Sequence, residues 1–148
     1  MKIVMMAAVV ALLAAPAVAR QAAPAPLQVD IPVLPTAVSD PTCGGKVGLA
    51  QQAMCVMTTQ GAIGGLVDTY SEAFRLQNWL AAGGEDNRVV YVRRRPEGGC
   101  DGFQMLAFAD ESRVPGPAEP AWLAFAAIPG NVCAAQPASP AATPAPAQ

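Results

Sequence analysis

The strongest constraint on this 148-residue chain is the placement of its four cysteines, which all fall inside one window. Cys43, Cys55, Cys100 and Cys133 sit between two Pro- and Ala-rich flanks, and neither flank contains another. A folded unit confined to residues 42–134 hides only about 60–65% of its unfolded surface, so covalent cross-links bear directly on whether it stays folded. An even cysteine count in a small exported chain reads as a disulfide framework, here of two bridges, each worth about 2–4 kcal/mol. The rival use of four cysteines is a zinc site. Structural zinc sites take closely spaced ligand pairs, whereas here the spacings are wide, no C-x-x-C occurs and the chain has no histidine. No metal and no cofactor is expected.

Export is read from the N-terminus. Lys2 precedes an unbroken apolar run from Ile3 to Ala15, Pro16 ends the run, and Ala17-Val18-Ala19 places small residues at the positions a signal peptidase reads. Residues 1–19 therefore read as a signal peptide. The run is too short for a bilayer core of about 30 Å, which takes roughly 20 helical residues. No Cys follows the cleavage site, which excludes a lipid-anchored lipoprotein, and no later stretch is long and apolar enough to form a transmembrane segment. The expected compartment is periplasmic or secreted, where disulfides persist.

The flanks read as disordered Ala/Pro-rich segments. Residues 20–41 form a linker carrying Pro24, Pro26, Pro32, Pro35 and Pro41, and residues 135–148 form a tail carrying Pro137, Pro140, Pro144 and Pro146. Proline fixes φ and donates no hydrogen bond, which favours extended, solvated chain. Leu27, Val29, Ile31, Val33 and Leu34 give the first flank enough apolar surface to lie along the domain as an edge segment.

Within 42–134 the pattern predicts an α+β fold: two N-terminal helices packed on a three- to four-stranded antiparallel meander. Lys46 to Thr58 lacks proline, is rich in Ala, Leu, Gln and Met, and repeats Val47, Ala50, Met54 and Met57 at helical spacing, predicting a first helix. Ile63, Leu66, Val67, Tyr70, Phe74 and Gln77 follow the i, i+3, i+4 rule and predict a second. Strands are expected at Trp79–Ala82, at Val89–Arg95 up to Pro96, at Phe103–Ala109 and at Ala121–Ile128, with Gly83–Asn87 as a turn and Glu97–Gly102 as a glycine loop. In such a meander Cys100 begins one strand and Cys133 follows the strand that returns to the same end. The expected pairing is therefore Cys100–Cys133 and Cys43–Cys55. Trp79, Tyr91, Phe103, Phe108, Trp122 and Phe125 are expected in the core, since a domain this small needs most of its aromatics inside.

The chemistry the chain can carry is narrow. Without histidine the Ser-His-Asp and Cys-His arrangements are excluded, and no G-x-S-x-G or S-x-x-K motif appears. Gly44-Gly45-Lys46 is not a phosphate loop: Asp40 stands where the first glycine belongs and Val47 where Ser or Thr belongs. Asp68, Glu72, Asp101, Asp110 and Glu111 are the carboxylates a glycosidase-like hydrolase would draw on, but each reads first as a surface charge or turn residue. No enzyme is expected.

After removal of Lys2 with the signal, eight Lys and Arg stand against eleven Asp and Glu, a balance opposed to nucleic-acid binding. The most distinctive polar feature is Arg93-Arg94-Arg95. On a strand Arg93 and Arg95 share a face, and with Arg88 they could grip phosphate or carboxylate groups. Their other use is to blunt an edge strand and to pair with Glu97, Asp101 or Asp110. Two functions follow from these features. One is a small exported binding or accessory domain, with an anionic envelope polymer or another envelope protein as partner. The alternative is a structural cell-envelope protein with Pro-rich spacers.

Overall fold

The computed structural model describes residues 26–135. The signal segment 1–19 and the tail from 136 onward lie outside the described residues. Two α-helices, α1 (Val47–Ala50) and α2 (Ile63–Leu76), accompany six strands: β1 (Val38–Ser39), β2 (Ala53–Thr59), β3 (Leu80–Glu85), β4 (Arg88–Arg94), β5 (Cys100–Ala109) and β6 (Pro120–Ile128). The strands form one antiparallel sheet in the order β1-β2-β6-β5-β4-β3. The expected α+β fold, with two substantial helices on a three- to four-stranded meander, is thus corrected to a six-stranded sheet with only two short helices.

The expected first helix is the main error. Only four of its residues are helical, and the second half of the stretch is β2. Along β2 consecutive residues turn to opposite faces: Val56 joins the aromatic core, while Cys55 packs with Cys43 and Ala124 on the other side. Met54 and Met57, which supplied the helical period, are among the exposed large hydrophobics. Seven β2 residues pair with β6, from Ala53 opposite Ala126 to Thr59 opposite Pro120. Tertiary pairing here overrides a helix preference worth a few tenths of a kcal/mol per residue.

Helix α2 does follow its periodicity. Leu66, Tyr70 and Phe74 are buried, and the helix starts at Ala62 with no side-chain cap, so packing rather than capping holds it. Its end is a Schellman turn. Asn78 adopts φ 64° and donates to the Arg75 carbonyl, and Trp79 donates to the Phe74 carbonyl. This reversal sends the chain directly into β3.

Strand β6 lies between β2 and β5, and its stretch Ala121–Phe125 is buried throughout. On one face Leu123 and Phe125 meet Val56, Phe103, Met105, Tyr91 and the α2 residues Leu66, Tyr70 and Phe74. Phe74 touches Tyr91, Phe103 and Phe125 edge-on at ring separations of 5.0–5.9 Å. On the opposite face Trp122 stacks on Phe108, with Lys46 over the Phe108 ring.

The segment expected as a linker is partly structural. Leu27, Val29, Ile31, Leu34 and Ala37 pack against the aromatic core, and β1 pairs with β2. Polar groups elsewhere hold the backbone of this strap. Gln77 both accepts from the Asp30 N–H (3.0 Å) and donates to the Asp30 carbonyl (2.7 Å), and Tyr70 donates to the Pro32 carbonyl.

Both expected disulfides are present, with Cα separations of 5.2 Å for Cys43–Cys55 and 5.3 Å for Cys100–Cys133. The first ties the segment containing α1 to β2. Its approach is shaped by Asp40, whose carboxylate accepts from the Thr42 hydroxyl (2.6 Å), the Thr42 and Gly44 N–H groups (2.9 Å each) and the Trp122 indole (2.7 Å). Gly44 has φ +63°, and a Cβ there would meet the Trp122 ring at 2.9 Å, so only glycine fits this turn.

Those hydrogen bonds, the Thr42 hydroxyl first, lower the Asp40 pKa to about 2 from 3.8. A carboxyl whose folded pKa is depressed stabilises the fold above its unfolded pKa and loses that contribution as pH falls through the folded value. Thermal stability should therefore fall between about pH 4 and pH 2 in the native chain, and Asp40→Ala should flatten that part of the profile. The same substitution should cost about 1–2 kcal/mol at neutral pH in urea unfolding, from the lost charge-assisted hydrogen bonds.

Candidate functional site

The arginines singled out in the sequence are not brought together. Arg88 and Arg93 stand five residues apart on β4, about 17 Å along the strand. Arg93 lies over the Trp79 ring at 4.4 Å and donates to the Gln28 carbonyl, so its guanidinium clamps the strap. Arg95 lies beyond the end of β4, bonded to Asp101 at 2.6 Å and to the Gly130 carbonyl. Arg88 is paired with Glu85 at 2.9 Å, and its Nε is buried without a partner among the described residues. Each of the three arginines is thus engaged within the chain. Arg94 is exposed and faces away from Arg93.

The carboxylates are dispersed as well. Asp101 serves Arg95, Asp110 caps its own turn through Ser112 and pairs with Arg113, and Glu111 is exposed in that turn. No group of three or more His, Cys, Asp or Glu side chains is arranged to hold a metal among the described residues. Asp68 and Glu72, four residues apart on α2, are the exception to this dispersal: both line a cleft of about 360 Å³ between the helix and β3.

That cleft belongs to a larger feature that sequence reasoning missed. β3 is one outer strand of the sheet, and all six of its residues are exposed. Among the described residues nothing pairs with its outer side. It reads Leu-Ala-Ala-Gly-Gly-Glu, so four consecutive positions carry at most a methyl group and the main chain is nearly bare. A bulge between Ala81 and Gly83 leaves Ala82 without a partner on β4. The only charged residue of β3, Glu85, is occupied by Arg88.

A groove flanks this edge on each face of the sheet. On the helix side lies the cleft already described, lined by Asp68, Ser71, Glu72, Trp79, Ala81 and Tyr91. Ser71 gives its hydroxyl proton to the Val67 carbonyl (2.7 Å), so Tyr91 is the donor in its 2.7 Å contact with the Ser71 oxygen. Burial pushes the Tyr91 phenol above its ordinary pKa, with the Ser71 bond opposing, so the phenol stays protonated at neutral pH. Arg75 holds the Glu72 carboxyl below its ordinary range and it is therefore charged. Trp79 is buried and its indole N–H has no partner among the described residues.

On the opposite face a groove of about 650 Å³ runs beside β3, floored by Val90 and Val92 and walled by Ile128, Val132 and the Cys133 end of the second disulfide. Its wall is fixed by a close approach: a Cβ on Gly102 would lie 2.7 Å from Val132, so the C-terminal turn sits directly on the β5 backbone. Arg88 and Glu85 close one end of this groove, so Arg88 alone of the three expected site residues belongs to it.

The expected strand Trp79–Ala82 covers only the first half of this edge: Gly83–Glu85, expected in the turn, continue the strand, and the turn is only Asp86-Asn87. Comparison with protein-family models, with curated proteins and with solved structures finds no match for this chain.

The clamp role of Arg93 has a direct consequence. Arg93→Ala should speed amide exchange in the strap at residues 27–31 while leaving the β5 and β6 amides protected. It should cost about 1 kcal/mol in chemical unfolding, the sum of a weak cation–π contact and one hydrogen bond.

Proposed function

We propose that this protein is a small exported binding domain, without catalytic activity, that captures an extended polypeptide segment by adding it as a seventh strand beside β3. The reading rests on one observation: a six-residue outer strand, exposed along its whole length and almost free of side chains, lies between two grooves. Strand addition works in this way elsewhere in general. Main-chain hydrogen bonds supply affinity, and pockets for alternate side chains supply selectivity.

Export is supported by the two disulfides, which close loops in a chain whose first nineteen residues have the pattern of a signal peptide. No helix among the described residues is long and apolar enough to cross a membrane. A polypeptide partner is favoured over an anionic polymer because Arg88, Arg93 and Arg95 already have partners within the chain. A spacer role for the first flank is disfavoured for residues 27–37, where Leu27, Val29, Ile31, Leu34 and Ala37 pack on the core.

The test uses the full chain. Peptides selected from a random library on the immobilised protein should slow amide exchange at residues 80–85 when they bind. Ala82→Pro removes an N–H at the bulge, where no β4 residue stands directly opposite. That variant should keep its thermal midpoint while losing about tenfold or more in peptide affinity, the equivalent of one or two main-chain hydrogen bonds. Peptides that bind without protecting β3, and that bind Ala82→Pro equally well, would refute strand addition.

A further inference from the structure

We infer that the captured segment alternates aliphatic and basic side chains, the basic ones directed to the cleft of Asp68 and Glu72 and the aliphatic ones to the groove of Val90 and Val92. The inference rests on strand addition at β3 and specifies its ligand.

Register supplies the first step. Residues directly opposite on paired strands share a face. Ala81 lies opposite Tyr91 and Gly84 opposite Val89, both of which pack with the helix-side core. Leu80 lies opposite Val92 and Gly83 opposite Val90, which floor the other groove. A strand added outside β3 continues this alternation. Its side chains beside Ala81 and Gly84 turn towards α2, and those beside Leu80 and Gly83 turn towards the opposite groove.

The two grooves differ in chemistry. Val90, Val92, Ile128 and Val132 line the second, and a β-branched or other aliphatic side chain reaching over Gly83 meets hydrocarbon. The first is rimmed by Asp68 and Glu72, both exposed on α2, with the Ser71 and Tyr91 hydroxyls deeper in. Arg75 is the one basic residue lining it and is bound to Glu72 at 2.6 Å, so the cleft carries one carboxylate in excess. Asp68 is the carboxylate without an ion pair among the described residues. A lysine or arginine side chain is long enough to lay its methylenes against Ala81 and place its charge at the rim. Because the rim is solvated, this selectivity weakens as salt is raised.

The probes are three synthetic octapeptides offered to the full chain at low and high salt, with exchange at residues 80–85 read alongside affinity. One alternates Val and Lys, one alternates Val and Glu, and one holds four Val followed by four Lys. The Val/Lys alternation should bind with β3 protected. The Val/Glu peptide should bind about tenfold or more weaker, as should the block peptide, which cannot fill both grooves at once. Asp68→Lys combined with Glu72→Lys lies on an exposed helix face and should leave folding intact while reversing the preference to Val/Glu. If both alternating peptides protect β3 with equal affinity, or if the double variant leaves the preference unchanged, the side-chain assignment is wrong and strand capture stands. If no peptide protects β3, strand capture and the assignment built on it fall together.

Discussion

A six-stranded sheet presents two faces to water, and among the described residues only one helix is long enough to cover a face. That mismatch organises the rest of the structure. Helix α2 covers part of one face through Leu66, Tyr70 and Phe74, and the strap 27–34 adds Leu27, Val29 and Ile31 beside it. The strap has no ladder of its own there, so Gln77, Tyr70 and Arg93 supply the hydrogen bonds its backbone would otherwise lack. The opposite face is covered by segments too short to hold themselves. The Cys43–Cys55 bridge fastens the α1 segment over Ala124, and the Cys100–Cys133 bridge fastens the C-terminal turn over Gly102. The disulfides thus staple cover to sheet, which a chain with a second long helix would not need.

Cover runs out towards β3. The second face is closed over β2, β6 and the near part of β5, but beyond Val132 the residues Val90 and Val92 floor an open groove. On the helix side α2 leaves a cleft before it reaches β3. The candidate site is therefore the place where the described residues stop covering the sheet.

How much of this was legible depended on whether a stretch's local pattern agreed with its tertiary role. Helix α2 shows a clean 3.6-residue period because Leu66, Tyr70 and Phe74 all meet one sheet face. Strands β4 to β6 are β-branched, aromatic or continuously apolar, the composition strands favour, and β6 is buried on both faces from Ala121 to Phe125. The disulfide pairing followed from the ends at which those strands begin and finish. β2 resisted because its Ala, Leu, Gln and Met content favours helix, and because the exposed Met54 and Met57 happen to sit three residues apart. The second half of β3 resisted for the opposite reason: Gly83 and Gly84 carry no strand propensity, and their place in the strand comes from Val89 and Val90 across the ladder. The arginines were legible as charges but not as clamps, since Arg93 meets Gln28 across 65 residues of sequence and Trp79 through the fold.

The two borders of the sheet are treated differently, and that asymmetry carries the functional argument. At the β2 border the chain is closed by β1, by the Asp40 N–H donating to the Cys55 carbonyl, and by Pro41 immediately after. These are ordinary protections against unwanted strand pairing. At the β3 border there is no lysine, no proline and no covering segment among the described residues, and the single charge is already paired. A protein that protects one border with a network of hydrogen bonds has the means to protect the other. Six residues of main chain left uncovered by the described residues, between an acidic cleft and an aliphatic groove, are a liability unless something binds there, and under the proposed strand addition the alternation of those two surfaces would set that occupant's sequence pattern.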